Sequence, residues 1–137
     1  MKKLNILFLS LLALIAVVSC NKDDDDNSSP AIEGKWQILQ QGGTLATLET
    51  VDMEGFCDKP ITEISQDGLL KSIIFLTVNS TCTPMTIQGT WTKQDSKITF
   101  KLLDKTYVYE IVELTVSTLK LKQIDGEGIW YTIYTKK

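Results

Sequence analysis

The stretch that decides the fold is MTIQGTWT, residues 85–92. Its odd-numbered positions are apolar residues or glycine, and its even-numbered positions are threonine or glutamine. A period of two residues is typical of a β-strand that buries one face and exposes the other to water. This stretch therefore predicts a half-buried strand.

The same alternation recurs before and after this strand, and turn residues separate the runs. Asp67-Gly68 predicts a two-residue hairpin, and the other connections are short, so successive strands should pair antiparallel. Eight strands leave exposed edges unless the sheet closes. The predicted fold class is all-β, a small antiparallel up-and-down β-barrel of about eight strands. The predicted strands are Gly34–Gln40, Ile61–Gln66, Leu69–Val78, Met85–Thr92, Ile98–Leu102, Tyr107–Leu114, Leu119–Lys122 and Ile129–Thr135.

The segment Gln41–Pro60 has no clear strand pattern. Its apolar residues are spaced as in a short helical turn, and we expect an ordered loop over one barrel mouth, held by Cys57. The residues that suggest the helical turn are Leu45, Leu48, Val51 and Met53.

The N-terminus has the layout of a secretory signal. Lys2 and Lys3 precede an apolar run, Leu4–Val18, which ends in small residues before Cys20. About 15 apolar residues are too few for a membrane-spanning helix, which needs roughly 20. The ending resembles a lipobox, in which cleavage before the cysteine is followed by lipidation of its thiol. The resulting domains are a cleaved lipoprotein signal peptide (1–19), an acidic disordered tether beginning at lipidated Cys20 (20–30) and a barrel domain (31–137).

The tether contains an acidic run, Lys22–Asp26, and no hydrophobic residue, so it cannot bury apolar surface. The run resembles export signals of surface lipoproteins in two-membrane bacteria. We therefore expect an outer-membrane lipoprotein at the cell surface, with the periplasmic face as the alternative.

The composition excludes several function classes. All 14 cationic residues are lysines, there is no histidine, and the formal net charge is −3. Without histidine the commonest metal ligand and proton-transfer group is missing, and without arginine bidentate phosphate recognition is missing. We predict no metal site, no cofactor, no nucleic-acid partner and no enzyme activity.

Two cysteines remain after lipidation, Cys57 and Cys82. An even pair in an exported protein favours a disulfide, with two buried free thiols as the alternative. The hairpin at Asp67-Gly68 places Cys57 near Asn79, and Cys82 follows in an irregular loop (79–84). Both cysteines should therefore lie at the same end of the barrel.

The order of these features resembles the short lipocalin-like domains of bacterial lipoproteins. The resemblance covers Ile32 to Lys137 and implies the barrel more firmly than it implies transport. Larger lipocalins stack an arginine over the first motif tryptophan. This chain has none, and Lys136 or Lys137 could partly replace it. The matching features are Gly34/Trp36, Cys57, Asp67-Gly68, Cys82, Gly89/Trp91, Tyr107–Leu114, Leu119-Lys120-Leu121 and Trp130–Tyr134.

Two functions are compatible with this pattern. The first is a membrane-anchored binding module for a small apolar ligand, although the same residues could simply pack a core. The second is a surface interaction protein that contacts a protein or glycan through its loops or through exposed Trp130, Tyr134 and Phe56. The candidate interior residues are Trp36, Ile38, Ile87, Trp91, Phe100, Tyr107, Tyr109, Leu121 and Tyr131.

Overall fold

The computed structural model describes residues 30–51, 54–126 and 128–137. The predicted signal peptide, Cys20, the tether up to Ser29, and Met53 lie outside the described residues. Within those ranges no helix is long and apolar enough to cross a membrane. The strands are β1 (Gly34–Gly42), β2 (Glu49–Thr50), β3 (Phe56–Ile64), β4 (Leu69–Val78), β5 (Thr81–Gln94), β6 (Lys97–Leu102), β7 (Lys105–Leu114), β8 (Thr118–Gln123) and β9 (Trp130–Lys136).

Eight of these strands form a closed antiparallel barrel. From β3 to β9 each strand pairs with the next, and β1 pairs with both β3 and β9. At the closure Trp36 lies opposite Thr62 on one side and Lys136 on the other. The short β2 pairs only with the end of β1. The predicted all-β barrel of about eight strands is confirmed. Its buried hydrophobic residues all lie between Ile32 and Tyr134, so residues 31–137 contain the whole core of the described structure.

The turn between β3 and β4 differs from the prediction. Ile64 pairs with Leu70, Ser65 N–H donates to Leu69 O, and the loop contains three residues. Gly68 occupies the left-handed region with φ of 83°. A three-residue hairpin typically places glycine there, which explains why Asp67-Gly68 does not make the predicted two-residue turn.

The β4–β5 hairpin is longer than expected, because Asn79 and Ser80 alone make its turn. Both residues have positive φ, and β5 begins at Thr81. The prediction of an irregular loop at 79–84 was wrong. Among the described residues, the first part of β5 (81–88) pairs only with β4, since β6 joins at Gly89.

The free edge of β5 explains why a proline, Pro84, is tolerated within this strand. Trp91 N–H donates to Gly68 O on the β4 side, so every second residue from Trp91 points its N–H towards β4. Pro84 is one of the intervening residues, whose amide positions face the unpaired side. Proline is therefore tolerated because no bond to β4 is lost.

The segment before β3 contains no helical turn among its described residues. A hydrogen-bonded turn from Thr44 to Thr47 leads instead into β2, where Gln41 pairs with Glu49. The apolar spacing there reflects a loop that folds back onto β1. The predicted loop Gln41–Pro60 was too long, because β1 continues to Gly42 and β3 already begins at Phe56.

The first Gly-x-Trp motif closes one end of the barrel. Trp36 is fully buried, and its Nε1 donates to Ile32 O at 2.7 Å. Lys136 Nζ lies 4.3 Å from the centroid of the Trp36 ring, a cation–π arrangement. A Cβ at Gly34 would lie 2.5 Å from that Nζ atom. Glycine thus leaves room for the lysine, and Lys136 rather than Lys137 takes the place of the absent arginine.

Candidate ligand site at the open end of the barrel

The two ends of the barrel are built differently. The chain enters and leaves at the Trp36 end, which we call the closed end, and the other end, where β1 and β4 finish, is the open end. Trp91 of the second Gly-x-Trp motif also serves the closed end, because its Nε1 donates to Ser65 O at 2.8 Å. The fully buried large side chains are Trp36, Leu70, Ile98, Leu119 and Leu121.

The strand register identifies the inner face in the open half. Starting from buried Trp36, successive pairings lead to Thr62, then Ser72, then Ile87. Paired residues share a face of the sheet, so Ile87 points into the barrel, and Met85, two residues away, does too. Met85 is 45% exposed and Ile87 is half-buried. The β4–β5 side of the open half therefore presents apolar side chains that are only partly covered.

The β7–β9 side of the open half is polar. Gln41 Nε2 donates to the hydroxyl of buried Thr132 at 3.4 Å. Burial, followed by the nearby Asp125 carboxylate and then Tyr107, raises the pKa of Tyr109 to about 12. The Tyr109 hydroxyl thus stays protonated at neutral pH. Asp125 Oδ1 is buried and has no hydrogen-bond partner among the described residues.

The sequence-predicted interior residues fall into three groups. Trp36, Phe100 and Leu121 are buried in the core itself. Ile87 lies on the wall of the open half. The remaining inner residues pack against the core and are partly buried: Ile38, Trp91, Tyr107 and Tyr109.

One interior prediction was wrong. Tyr131 pairs with Lys122, whose ammonium group reaches Glu110 on the outer face at 3.6 Å. Its neighbour Tyr134 is buried and pairs with Leu119, so the inner face of β9 carries Thr132 and Tyr134 instead. Burial strongly raises the pKa of Tyr134, as expected for a phenol away from water.

The three aromatic residues that were candidates for an outward position differ in how exposed they are. Tyr134 was wrongly placed, because it belongs to the core. Trp130 is 48% exposed at the open rim, and Phe56 is half-buried at the start of β3. Only Trp130 is therefore available to a partner as a largely exposed ring.

The disulfide prediction is confirmed. Cys57 and Cys82 are bonded, with their Cα atoms 5.6 Å apart. The bond joins the start of β3 to the start of β5 across β4, at the open end. It ties the free edge of β5 to the barrel wall, beside the partly covered apolar side chains.

Across residues 30–51, 54–126 and 128–137, no group of three or more His, Cys, Asp or Glu side chains could hold a metal ion. No protein-family model matches this sequence, and neither does any curated protein.

Solved structures do share its fold. A lipocalin-like protein from Bacteroides uniformis is 20% identical, covering 77% of this chain and 97% of its own, with a TM-score of 0.58. An uncharacterized protein from Bacteroides eggerthii is 14% identical over 77% of this chain and 98% of its own, with a TM-score of 0.57. Japanin from Rhipicephalus appendiculatus, bound to cholesterol, is 14% identical, with coverages of 80% and 78% and a TM-score of 0.54. The chain has a lipocalin-like barrel, as the sequence resemblance implied.

Proposed function

We propose that this chain is a lipid-anchored, non-catalytic binding module that holds a small, largely apolar ligand in the open half of its barrel. This proposal is based on a difference in packing between the two halves of the barrel. The closed half is filled by its own side chains, whereas Met85 and Ile87 line the open half and are only partly covered. Covering such side chains yields roughly 25 cal/mol per Å² of apolar surface removed from water.

The polar side of the open half supports a ligand that also carries a hydrogen-bond donor. A buried carboxylate oxygen without a partner is costly, and a ligand hydroxyl would satisfy Asp125 Oδ1. The protonated Tyr109 hydroxyl lies close to the same carboxylate. The favoured ligand is thus apolar over most of its surface and hydroxylated at one end.

Japanin, whose fold is similar to that of this chain, is bound to cholesterol, a largely apolar molecule with one hydroxyl group. At 14% identity this likeness shows the fold alone, so the ligand class is inferred from the side chains of the open half.

The proposed lipid anchor is Cys20, and the fold determines which end of the barrel an anchored chain would turn towards the bilayer. Ile32 lies at the closed end, so a tether over residues 20–30 would leave the open end facing away from the bilayer. The acidic run at Lys22–Asp26 favours the outer face of the outer membrane. We expect intact-mass analysis of the membrane fraction to give a chain that begins at acylated Cys20. A chain that begins at Met1 without acyl groups would refute the anchor.

A second candidate function is binding of a protein partner through the open end. It is favoured by large apolar side chains that remain exposed in loops and at strand ends there, since exposed apolar patches often mark contact surfaces. These residues are Leu45, Val78, Leu103, Ile124, Ile129 and Trp130.

Filling the open half should abolish ligand binding. In the barrel domain (31–137), Ile87→Trp adds bulk at an inner position outside the packed core. We expect it to weaken binding of the fluorescent fatty alcohol cis-parinaryl alcohol by at least about tenfold, equivalent to ~1.4 kcal/mol. Fluorescence titration measures this.

The matched control is Thr86→Trp, which adds the same ring at the neighbouring, exposed position on the outer face of β5. It should bind the probe as the unmodified domain does. Equal affinities for the two variants would contradict a ligand site in the open half and favour the protein-partner candidate.

A further inference from the structure

A separate groove lies on the rim of the open end. It has a volume of about 440 Å³ and runs between the end of β1, the loop to β2, β2 itself and the start of β9. This volume lies within the range of roughly 300–1,000 Å³ that small-molecule sites occupy. The groove is open to solvent along its length. The described residues that line it are Gln41, Gly42, Gly43, Thr47, Glu49, Thr50, Val51 and Trp130.

The groove is held in shape by the hydrogen bonds of its loop. The Thr44 and Thr47 hydroxyls lie 2.8 Å apart, and Thr47 N–H donates to Thr44 O at 3.2 Å. A Cβ at Gly42 would lie 2.5 Å from Thr47 O, so the loop backbone packs directly onto β1. Val51 N–H donates to Leu39 O at 3.3 Å. A preformed groove avoids the entropy cost of ordering a loop when a ligand binds.

The lining combines one flat aromatic ring with neutral polar groups. Trp130 is 48% exposed, so much of its ring is available for stacking. Gln41, Thr47 and Thr50 supply amide and hydroxyl groups that both donate and accept hydrogen bonds. Val51 is the one aliphatic side chain among the lining residues, which distinguishes the groove from the apolar wall inside the barrel.

The charges of the lining exclude other ligand classes. Among the described residues that line the groove there is no lysine, and Glu49 is the one charged side chain, so a phosphate or carboxylate ligand would meet repulsion from Glu49. A quaternary ammonium ion is usually enclosed by several aromatic rings, and this groove offers one. A fatty ligand would leave the amide and hydroxyl groups unpaired, which costs free energy.

We propose that this rim groove binds a neutral saccharide, with a sugar ring stacked on Trp130 and its hydroxyls bonded to Gln41 and Glu49, which lie opposite each other on the same face. A sugar ring has an apolar C–H face and a rim of hydroxyl groups, each a donor and an acceptor. That combination matches an exposed indole beside amide, hydroxyl and carboxylate groups. The proposal does not depend on the apolar ligand, because it uses none of Met85, Ile87, Tyr109 and Asp125, on which that ligand is argued.

The test is calorimetric titration of the barrel domain with four neutral trisaccharides: maltotriose, cellotriose, xylotriose and N-acetylchitotriose. At least one should bind with a Kd of about 1 mM or tighter. Trp130→Ala should weaken that binding by about tenfold or more, as expected for a tryptophan that dominates a contact. Glu49→Gln, which keeps the shape and removes the charge, should weaken it by roughly threefold, since charged acceptors make the stronger hydrogen bonds.

Matched controls separate this site from the barrel interior. Leu103→Ala truncates another exposed rim residue and should leave saccharide binding unchanged, as should Ile87→Trp. Trp130→Ala should still bind cis-parinaryl alcohol. The proposal is overturned if none of the four sugars binds, if Trp130→Ala binds sugar as tightly as the unmodified domain, or if tetramethylammonium rather than sugar binds in a Trp130-dependent way.

Discussion

Replacing Trp36 with alanine is expected to lower the free energy of unfolding by about 3–5 kcal/mol, the range for truncating a large buried aromatic residue. Trp36 has no exposed surface, donates to Ile32 O and carries Lys136 on its ring. The variant loses the packing, the hydrogen bond and the cation–π contact together. Urea unfolding of the barrel domain, followed by far-UV circular dichroism, measures the change.

Trp130→Ala is the matched control, because it makes the same truncation at a half-exposed position on the opposite rim. We expect it to cost about 1 kcal/mol or less, as is usual for surface substitutions. Similar losses for the two variants would contradict the assignment of the Trp36 end as the packed, closed end of the barrel.

Replacing Gly89 with valine is expected to lower the free energy of unfolding by at least as much as the milder truncations of core side chains do. A Cβ at Gly89 would overlap Lys101 O and would lie 3.0 Å from the carbonyl carbon. Backbone atoms cannot move aside as a flexible side chain can, so β6 must separate from β5 where the two strands first pair. Overpacking commonly costs 1–3 kcal/mol and occasionally more, and we expect roughly 3 kcal/mol or more here.

The control for Gly89 is Thr90→Val, which places the same side chain at the next position of β5. Thr90 is exposed and pairs with Lys101 without such an overlap. Its free energy of unfolding should stay within about 0.5 kcal/mol of the unmodified domain. A stable, cooperatively folded Gly89→Val domain would show that β5 and β6 do not approach as closely as described.

The existence of the strands could be predicted from the sequence because each barrel strand must alternate between core and water. Residues 85–92 and the Leu119-Lys120-Leu121 run make this alternation plain, and both lie in strands. The disulfide could also be predicted, because the N-terminal sequence indicates export and an even pair of cysteines in an exported protein favours a bond. Closure followed from the short connections and the number of strands.

The face of a strand was harder to predict where both faces carry apolar residues. In β9, whose sequence is WYTIYTK, aromatic residues occupy both odd and even positions. Which set faces the core therefore depends on how β9 pairs with its neighbouring strands. The pairing of buried Leu119 with Tyr134 shows that Tyr134 faces the core. The same register buries Thr132, which hydrophobicity alone would not have selected as an inner residue. A shift of one residue reverses every side chain, which explains why Tyr131 and Tyr134 were exchanged.

The inner wall of the open half was only partly predictable. Most of β4, LLKSIIFLTV, is apolar on both faces, so alternation alone cannot separate its inner residues from its outer ones. The rim groove left no periodic signal at all, because its residues come from three separate segments that the barrel closure brings together.

The most direct test of the central claim is an isotope-filtered nuclear Overhauser experiment on the methyl-labelled barrel domain with 1-dodecanol. The expected result is a set of contacts from the alkyl protons of the alcohol to the methyl groups of Ile87 and Met85. No contacts are expected to Ile98 in the packed half or to Ile133 on the outer face. Bound 1-dodecanol that contacts Ile133 but not Ile87, or a domain that binds no 1-dodecanol, would contradict a ligand site in the open half.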